Sequence, residues 1–542
     1  MSAQLPEGNL FDFIVENNLV QENKTLVEYF GKKISVKEFI FQIKKLACSF
    51  VRNGITVGDT VTLMSLVTPE SLYCIYALNF LGVTVNSVYI SMSDDEIITT
   101  VKNTDSKLLI VIDVLSERID SISDRLPVDN IVVLSPRESL RVPVKWVYDI
   151  KNSKHICKST KIISFKEYSH ATRFEMEKIE EKHQGNADAV ALIVYTSGST
   201  GEPKGVMLSN RNINSVALQY MNTMDFEFGD SFLCFIPPFF SIGFCLATHM
   251  PLALGLKVMI CPDPTPENVS KTFLRLKPNH YVGVPSNNLQ IINMHKKKLT
   301  YVKTFAAGGS SATKEQVDNV NNVFVKEGSQ ARMITGYGMT EFSATVTTER
   351  NDVYRRGSIG IPLPLVNVMV VDTDTCEEKM YNEVGELFFT SPGQMMGYYK
   401  NAEETTAIKY IDKEGREWLR TGDLGKVDED GFIYFEGRVK RIYLKQGADG
   451  TIYKIFPQRV EELINNLNFV KECAVIAVPD EILQHAQIAY IVLNGRKNDY
   501  EKEIKEVCKL YLPDFMVPEE FVFIDSMPKL SNGKIDYQSL IK

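Results

Sequence analysis

The chain has 542 residues, 44% hydrophobic and 24% charged, with a formal net charge of −8. That length exceeds one ordinary hydrophobic core, so a soluble protein of two or more domains is expected. The negative charge argues against a nucleic-acid partner. Nine cysteines and seven histidines without metal-ligand spacing argue against a disulfide framework or a zinc site, and favour the reducing cytoplasm.

Short apolar runs alternate with amphipathic stretches through most of the chain. The apolar runs predict strands at 108–112, 131–134, 191–194, 232–236, 258–261 and 281–284. Longer patterned segments predict helices at 35–53 and 69–81. Strands that alternate with helices are typical of an α/β fold, here a large N-terminal domain of layered, largely parallel sheets and helices.

Residues 231–256 carry no formally charged side chain and are long enough to cross a membrane. Prolines and glycines interrupt this stretch, at Pro237, Pro238, Gly243 and Pro251 among others. A strand, a turn and a buried helix therefore explain it better than a membrane span. The N-terminal residues lack the basic and then apolar pattern of a signal peptide.

The pattern changes after Gly437 to that of a compact unit. It predicts a helix at 461–467, strands at 474–478 and 488–493, a charged helix at 499–512 and a last strand at 521–524. This is a small α+β domain of ordinary size. We expect an N-terminal domain of residues 1–439 and a mobile C-terminal domain of residues 440–542.

A loop of glycines and hydroxyl side chains follows the apolar run at 189–194 and contains a single lysine, Lys204. Its glycines allow close approach of a ligand, and its hydroxyls and lysine suit phosphate oxygens. The candidate ligands are Thr196, Ser197, Gly198, Ser199, Thr200, Gly201 and Lys204. A Walker loop is excluded, because Pro203 and Gly205 stand where that motif needs Gly and Ser or Thr.

The order Tyr195-Thr-Ser-Gly-Ser-Thr-Gly-Glu-Pro-Lys-Gly205 resembles the core signature of the acyl-adenylate-forming (AMP-binding) superfamily, which contains acyl-CoA synthetases and 4-coumarate-CoA ligases. The segment Gly336-Tyr-Gly-Met-Thr-Glu341 is similar to the family's second nucleotide motif. The resemblance implies that Gly336, Tyr337 and Gly338 lie at the nucleotide, with Tyr337 on the adenine. It further implies that Thr340 contacts the α-phosphate and that Glu341 holds Mg²⁺, in keeping with the preference of that ion for oxygen ligands.

Three further motifs extend the resemblance. Asp423 in Arg420-Thr-Gly-Asp-Leu-Gly425 would accept hydrogen bonds from both ribose hydroxyls, and Arg438 would also reach the ribose. Lys440 stands where the family has its hinge between the domains. Near the end of the chain, Lys534 looks like the family's catalytic lysine, which bridges the carboxylate and the α-phosphate; Lys204, Thr340 and Glu341 would act with it.

The candidate acyl pocket comprises Phe239, Phe240, Ser241, Gly283, Gly308, Gly309, Gly338 and Met339, which predicts an apolar fatty or aryl acid. Phe240 departs from the family, because many of its CoA ligases have histidine there. The stretch 445–454 is also longer than usual. Its Gly447 and Gly450 would line the thiol tunnel, so this length leaves the identity of the acceptor open.

The resemblance implies an AMP-forming acid–thiol ligase that uses ATP, Mg²⁺ and CoA on a small-molecule carboxylic acid. The alternative is a stand-alone adenylation enzyme that loads the phosphopantetheine of an acyl or peptidyl carrier protein. An inactive nucleotide-binding scaffold and a luciferase-like oxidase also remain open. The scaffold is disfavoured because the chain retains the candidate lysines together with Glu341 and Asp423.

Overall fold

The computed structural model describes residues 5–152, 157–196, 203–309, 312–441, 443–446, 451–480, 483–495, 500–529 and 535–541. No helix in these ranges is both long and apolar enough to cross a membrane. The uncharged stretch 231–256 instead forms a strand, Ser231–Cys234, and consecutive helical segments, Ile242–His249 and Met250–Ala253. The expectation of a buried, interrupted segment is confirmed.

The first sheet carries the glycine-rich loop near one of its edges. Its central strands are parallel, and the strands at the loop-bearing edge are antiparallel. In spatial order, its described strands are Gly397–Tyr398, Lys204–Ser209, Val190–Thr196, Thr84–Ser87, Thr60–Met64, Leu108–Ile112, Asn130–Leu134 and Ile162–Ser164.

The second sheet is parallel through its centre and antiparallel at both edges. In spatial order, its described strands are Ile361–Pro362, Thr347–Thr348, Met333–Tyr337, Thr304–Ala307, His280–Gly283, Ser231–Cys234, Lys257–Ile260, Thr25–Tyr29 and Lys32–Ser35. Parallel strands present their carboxyl ends along one edge, where ligands of open α/β sheets bind. The motif at Gly336–Glu341 leaves the sheet at such an end.

A third, antiparallel sheet lies later in the chain and carries Asp423 and Arg438. Its described strands are Asn367–Val371, Gly385–Thr390, Lys409–Ile411, Glu417–Val427 and Ile433–Arg438. Strand Glu417–Val427 lies between its neighbours, so the Asp423 motif stands on a strand that is paired on both sides.

Helices cover and separate the sheets. Helix Pro69–Phe80 is buried along its whole length and belongs to a core cluster shared with strands of the first and second sheets. Thr68 caps this helix by accepting a hydrogen bond from the Ser71 backbone N–H, and Pro69 suits the first helical position. The other α-helices of the described residues before 440 are Leu10–Asn18, Val36–Arg52, Asp94–Asn103, Ser116–Ile122, Val142–Asn152, Phe165–Tyr168, Arg173–Lys178, Asn210–Met221, Met250–Ala253, Pro266–Leu276, Pro285–Met294, Lys314–Glu327 and Ala402–Ala407.

The helical segment Ile242–His249 is a π-helix and not the ordinary α-helix that an apolar run suggests. Its last turn is closed by a hydrogen bond from the Met250 N–H to the Cys245 carbonyl, five residues back. Thr248 Oγ1 also donates to the Gly243 carbonyl at 2.7 Å. π-Helical turns are rare and frequent at functional sites, and this one directly follows the candidate acyl residues Phe239, Phe240 and Ser241.

The C-terminal part has its own hydrophobic clusters. Its described elements are the hairpin Tyr443–Gln446 and Ile452–Ile455, the strands Val470–Asp480, Gln484–Leu493 and Glu520–Phe523, and the helices Pro457–Asn465 and Glu501–Tyr511. The predicted class, a large N-terminal domain of layered, largely parallel sheets and helices with a smaller α+β C-terminal domain, is confirmed. The boundary between residues 439 and 440 stays a prediction.

Candidate active site

The glycine-rich loop connects two antiparallel strands of the first sheet. Val190–Thr196 leads into it and Lys204–Ser209 leaves it, with Thr196 paired directly opposite Lys204. In a Walker loop the lysine begins a helix, so the hairpin geometry agrees with the exclusion made from the sequence. The candidate ligands Ser197, Gly198, Ser199, Thr200 and Gly201 lie outside the described residues.

Lys204 is held by two side chains of a later segment. Its ammonium group forms an ion pair with the Glu404 carboxylate and lies 5.1 Å from the centre of the Tyr398 ring. Tyr398 reaches this position because strand Gly397–Tyr398 pairs with the lysine strand, Tyr398 opposite Val206. The Lys204 side chain is 16% exposed, so little of it contacts solvent.

Tyr337 ends strand Met333–Tyr337 and points toward the third sheet. Its ring packs against the rings of Phe389 and Phe435, at centroid distances of 5.8 and 6.4 Å and interplanar angles of 27° and 29°. Its hydroxyl donates to Asp423 Oδ2. Burial raises the pKa of Tyr337 well above its usual value, so the hydroxyl remains a donor at neutral pH.

Asp423 and Arg438 face each other on paired strands of the third sheet. Arg438 Nε lies 2.8 Å from Asp423 Oδ1, and the Asp423 backbone N–H donates to Thr421 Oγ1. The Asp423 side chain is 2% exposed, whereas that of Arg438 is 50% exposed. The structure therefore brings together three candidate nucleotide residues, Tyr337, Asp423 and Arg438, from two sheets.

Thr340 and Glu341 begin a short 3₁₀ turn, Thr340–Phe342, just beyond Tyr337. Glu341 is 6% exposed and accepts a hydrogen bond from the Tyr398 hydroxyl at 2.7 Å. Burial raises the pKa of Glu341, and the charges of Arg438 and Lys204 oppose that rise. Tyr398 thus connects the metal candidate Glu341 to the lysine of the loop.

The donor set around Glu341 suits Mg²⁺ only together with a phosphate ligand. No cluster of three or more His, Cys, Asp or Glu side chains occurs among the residues that the structure describes. Mg²⁺ is commonly held by one or two carboxylates plus substrate phosphates and water. A single buried carboxylate, Glu341, beside the predicted phosphate-binding residue Thr340 fits that pattern.

The glycines of the Gly336–Glu341 motif allow close backbone packing. A Cβ on Gly338 would lie 2.0 Å from the Ala344 carbonyl oxygen, and one on Gly336 would lie 2.7 Å from the Thr347 carbonyl oxygen. Both contacts are with backbone, which cannot move as a flexible side chain can. Any larger residue at Gly338 would displace the turn that carries Thr340 and Glu341.

The candidate acyl residues Phe239 and Phe240 form an aromatic group with Tyr89. The three ring centres lie 4.9 to 5.3 Å from one another. The Tyr89 hydroxyl donates to the Tyr195 carbonyl, so this group is anchored to the strand that enters the glycine-rich loop. Ser241 Oγ donates to Thr340 Oγ1 at 3.3 Å, which links the acyl stretch to the phosphate motif.

The remaining candidate pocket residues lie at strand ends of the second sheet or beside the turn after Tyr337. A Cβ on Gly283 would lie 2.1 Å from the Tyr281 hydroxyl, and one on Gly308 would lie 2.9 Å from Ile242 Cδ1. The nearest side-chain atom to Gly309 belongs to Val284. Met339 is half-buried against the main core. Apart from the Tyr281 hydroxyl, these neighbours are apolar.

Lys440 lies in the 3₁₀ turn Val439–Arg441. The arginine before it forms an ion pair with the third sheet, and the arginine after it forms one with helix Pro457–Asn465. Arg438 is paired with Asp423, whereas Arg441 donates to both Glu461 carboxylate oxygens at 2.6 and 3.0 Å. The predicted catalytic lysine Lys534 and the predicted thiol-tunnel residues Gly447 and Gly450 lie outside the described residues.

Sequence reasoning missed Tyr89, Tyr398 and Glu404. The signal for the last two is the segment Gly397-Tyr-Tyr-Lys-Asn-Ala-Glu-Glu404, which places aromatic and acidic side chains beside a glycine after an apolar strand. That pattern has no periodicity of its own. The contacts of Tyr398 and Glu404 depend on the pairing of strand Gly397–Tyr398 with strand Lys204–Ser209, almost 200 positions earlier.

The comparisons with known proteins identify the family. The model of the AMP-binding enzyme matches residues 15–399, and that of the AMP-binding enzyme C-terminal domain matches residues 459–534. The chain therefore belongs to the AMP-binding enzyme family. The predicted family and the predicted class of adenylate-forming ligase are confirmed.

Two relatives agree with this assignment, and one solved structure agrees with the fold. The chain is similar to a long-chain-fatty-acid–CoA ligase of Bacillus subtilis (strain 168), with 27% identity over 99% of this chain and 95% of the relative. It is also similar to 4-coumarate–CoA ligase-like 2 of Arabidopsis thaliana, with 32% identity over 68% of this chain and 65% of the relative. The fold matches the anthranilate CoA ligase AuaEII in complex with anthranoyl-AMP, with a TM-score of 0.83, 21% identity, and coverage of 99% of this chain and 97% of that one.

Proposed function

We propose that the protein activates an apolar carboxylic acid with ATP, as an acyl-adenylate, and transfers the acyl group to the thiol of CoA. The observation that carries the proposal is the convergence of Tyr337, Asp423 and Arg438 next to the Thr340–Glu341 turn. This arrangement offers a ring for a base, a buried carboxylate for ribose hydroxyls and a turn for phosphates. The two relatives named above are CoA ligases, which supports CoA as the acceptor.

The first half-reaction places a carboxylate oxygen on the α-phosphorus of ATP and releases pyrophosphate. Thr340 would hold the α-phosphate, and its bond from Ser241 would align that phosphate with the acyl pocket. Mg²⁺ held by Glu341 and phosphate oxygens would neutralise negative charge on the triphosphate. Lys204 and Lys534 would supply the positive charge that the transition state needs.

In the second half-reaction the CoA thiol loses its proton to solvent and its sulfur attacks the acyl carbonyl. The C–S bond forms, the bond from the acyl carbon to the phosphate oxygen breaks, and AMP leaves with that electron pair. We propose residues 440–542 as the unit that rotates between the two halves. Two ion pairs support this division of the chain: Arg438, before Lys440, binds Asp423, and Arg441, after it, binds Glu461. Rotation about Lys440 would leave both ion pairs intact.

The acid is proposed to be fatty or aryl. Phe239, Phe240 and Tyr89 present aromatic surface beside Ser241, and Ile242 and Val284 flank the strand-end glycines. An amino-acid substrate would need an acidic partner for its ammonium group, and this group of residues contains none. We further propose the cytoplasm as the location.

A panel of carboxylic acids with ATP and Mg²⁺, measured by pyrophosphate release with and without CoA, tests the proposal. We expect apolar acids to release pyrophosphate and, with CoA, to yield AMP and an acyl-CoA. Formation of ADP would rule out adenylation. Release of pyrophosphate without thioester formation on CoA, together with loading of a phosphopantetheinylated carrier protein, would favour the stand-alone adenylation enzyme, which the long stretch 445–454 keeps open.

A further inference from the structure

Glu404 forms an ion pair with Lys204 but has no role in the proposed reaction. Glu404 lies on the short helix Ala402–Ala407, and its side chain is 39% exposed. The Asn401 side chain caps this helix by accepting from the Glu404 backbone N–H at 3.1 Å. Thr405 Oγ1 accepts from the Tyr398 backbone N–H at 2.9 Å. The carboxylate is therefore positioned by the same segment that carries Tyr398.

The order of the groups assigns Lys204 to the outer phosphates. Asp423 and Tyr337 mark the nucleoside end, and Thr340 and Glu341 follow along the turn. Tyr398 then joins Glu341 to Lys204 through its hydroxyl and its ring. Lys204 comes last when these contacts are followed outward from Asp423, which favours the pyrophosphate end of a bound nucleotide as its ligand.

Two anions would then compete for one ammonium group. The β- and γ-phosphates carry negative charge, and like charges repel strongly in a partly buried site. The hydrogen bond and charge of Lys204 lower the pKa of Glu404, and the charge of Lys440 lowers it further. Glu404 is therefore ionised throughout the neutral pH range.

We propose that Glu404 is a competing counter-ion for Lys204, which weakens the binding of pyrophosphate and so promotes its release after the adenylation step. This inference rests on the proposed function, because it takes ATP as the substrate and pyrophosphate as the leaving group. It makes Glu404 a positioning residue, which acts on the phosphates through Lys204.

Direct binding tests the inference without turnover. Calorimetry would measure the affinity of the full-length protein for magnesium pyrophosphate and, separately, for AMP. We expect Glu404→Gln to bind pyrophosphate about threefold to fivefold more tightly, the upper range for one partly exposed ion pair. AMP lacks the outer phosphates, so its affinity should stay unchanged.

Three further variants complete the design. Glu403→Gln removes an equal charge from an exposed neighbouring position on the same helix and should change neither affinity. Glu404→Asp keeps the charge and should restore the affinity toward that of the wild type. In a Lys204→Met background, Glu404→Gln should no longer tighten pyrophosphate binding. In turnover, the Glu404→Gln enzyme should be inhibited by lower pyrophosphate concentrations.

Unchanged or weaker pyrophosphate binding by Glu404→Gln would overturn the inference, as would an equal change for AMP. If the wild-type protein binds AMP and pyrophosphate while Glu404→Gln has no effect, only the counter-ion role fails. If the wild-type protein binds neither, the proposed function fails and this inference fails with it.

Discussion

Replacing Asp423 with asparagine tests the nucleoside end of the proposed site. The substitution conserves shape and removes the negative charge of a carboxylate that is 2% exposed, paired with Arg438 and hydrogen-bonded by the Tyr337 hydroxyl. If this carboxylate accepts the ribose hydroxyls, the variant loses a charge-assisted hydrogen bond worth about 1.5–3 kcal/mol. Affinity for ATP and AMP should then fall by about 10- to 150-fold.

Asp428→Asn is a matched control just beyond the end of the same strand, Glu417–Val427. Asp428 is also buried, accepts from an arginine, Arg355, at 2.7 Å, and accepts from the Tyr434 hydroxyl at 3.0 Å. Both variants lose the same types of interaction, so their free energies of unfolding should fall by similar amounts, about 1–3 kcal/mol each. Only Asp423→Asn should weaken nucleotide binding.

Isothermal titration calorimetry with ATP and 2′-deoxy-ATP separates a direct contact from a general disturbance. The wild-type protein should bind the deoxy analogue more weakly, and Asp423→Asn should reduce that difference because the hydroxyl has lost its charged partner. If the difference between the two nucleotides is as large in Asp423→Asn as in the wild type, Asp423 does not bind the ribose. Equal loss of affinity in Asp428→Asn would also refute the reasoning.

Three further predictions address the acyl pocket, the two half-reactions and an ion pair of the C-terminal unit. Phe240→Ala should shift preference toward larger acids, since the ring is a wall of the proposed pocket; the ratio of kcat/KM for a larger and a smaller acid should change by the equivalent of about 1–3 kcal/mol. An unchanged acid profile would place Phe240 in the core only. Lys534→Ala should slow acyl-adenylate formation by about 100-fold or more but leave thioester formation from preformed adenylate near the wild-type rate. Lys440→Pro should slow mainly thioester formation, because proline fixes the backbone at the hinge. Equal slowing of both half-reactions by Lys534→Ala would argue against domain alternation. Glu461→Ala should destabilise the C-terminal unit by about 1–3 kcal/mol in thermal unfolding, because it removes both carboxylate acceptors of Arg441 and the acceptor of the Val475 backbone N–H, while Arg441 keeps its bonds to the Tyr537 hydroxyl and the Val475 carbonyl. The exposed Glu462→Ala should have no such effect, and equal melting curves would contradict this.

The sequence was sufficient for features that depend on neighbouring residues. The apolar run at 108–112 is a strand with those same bounds, because every residue in it is buried between layers. The strand predicted at 232–236 ends earlier, at Cys234. Phe235 and Ile236 extend the apolar run because they are buried, although they lie beyond the strand. Burial alone produces the same apolar pattern inside a strand and just after it.

Residue chemistry and order were likewise sufficient to predict the family and to nominate Tyr337, Asp423 and Arg438. No local pattern could predict that Tyr337 and Asp423, 86 positions apart, would share a hydrogen bond. Nor could it predict that Glu404 would pair with Lys204 across 200 positions. These contacts arise from which strands pair and how the sheets pack, whereas periodicity reports only which face of an element is buried.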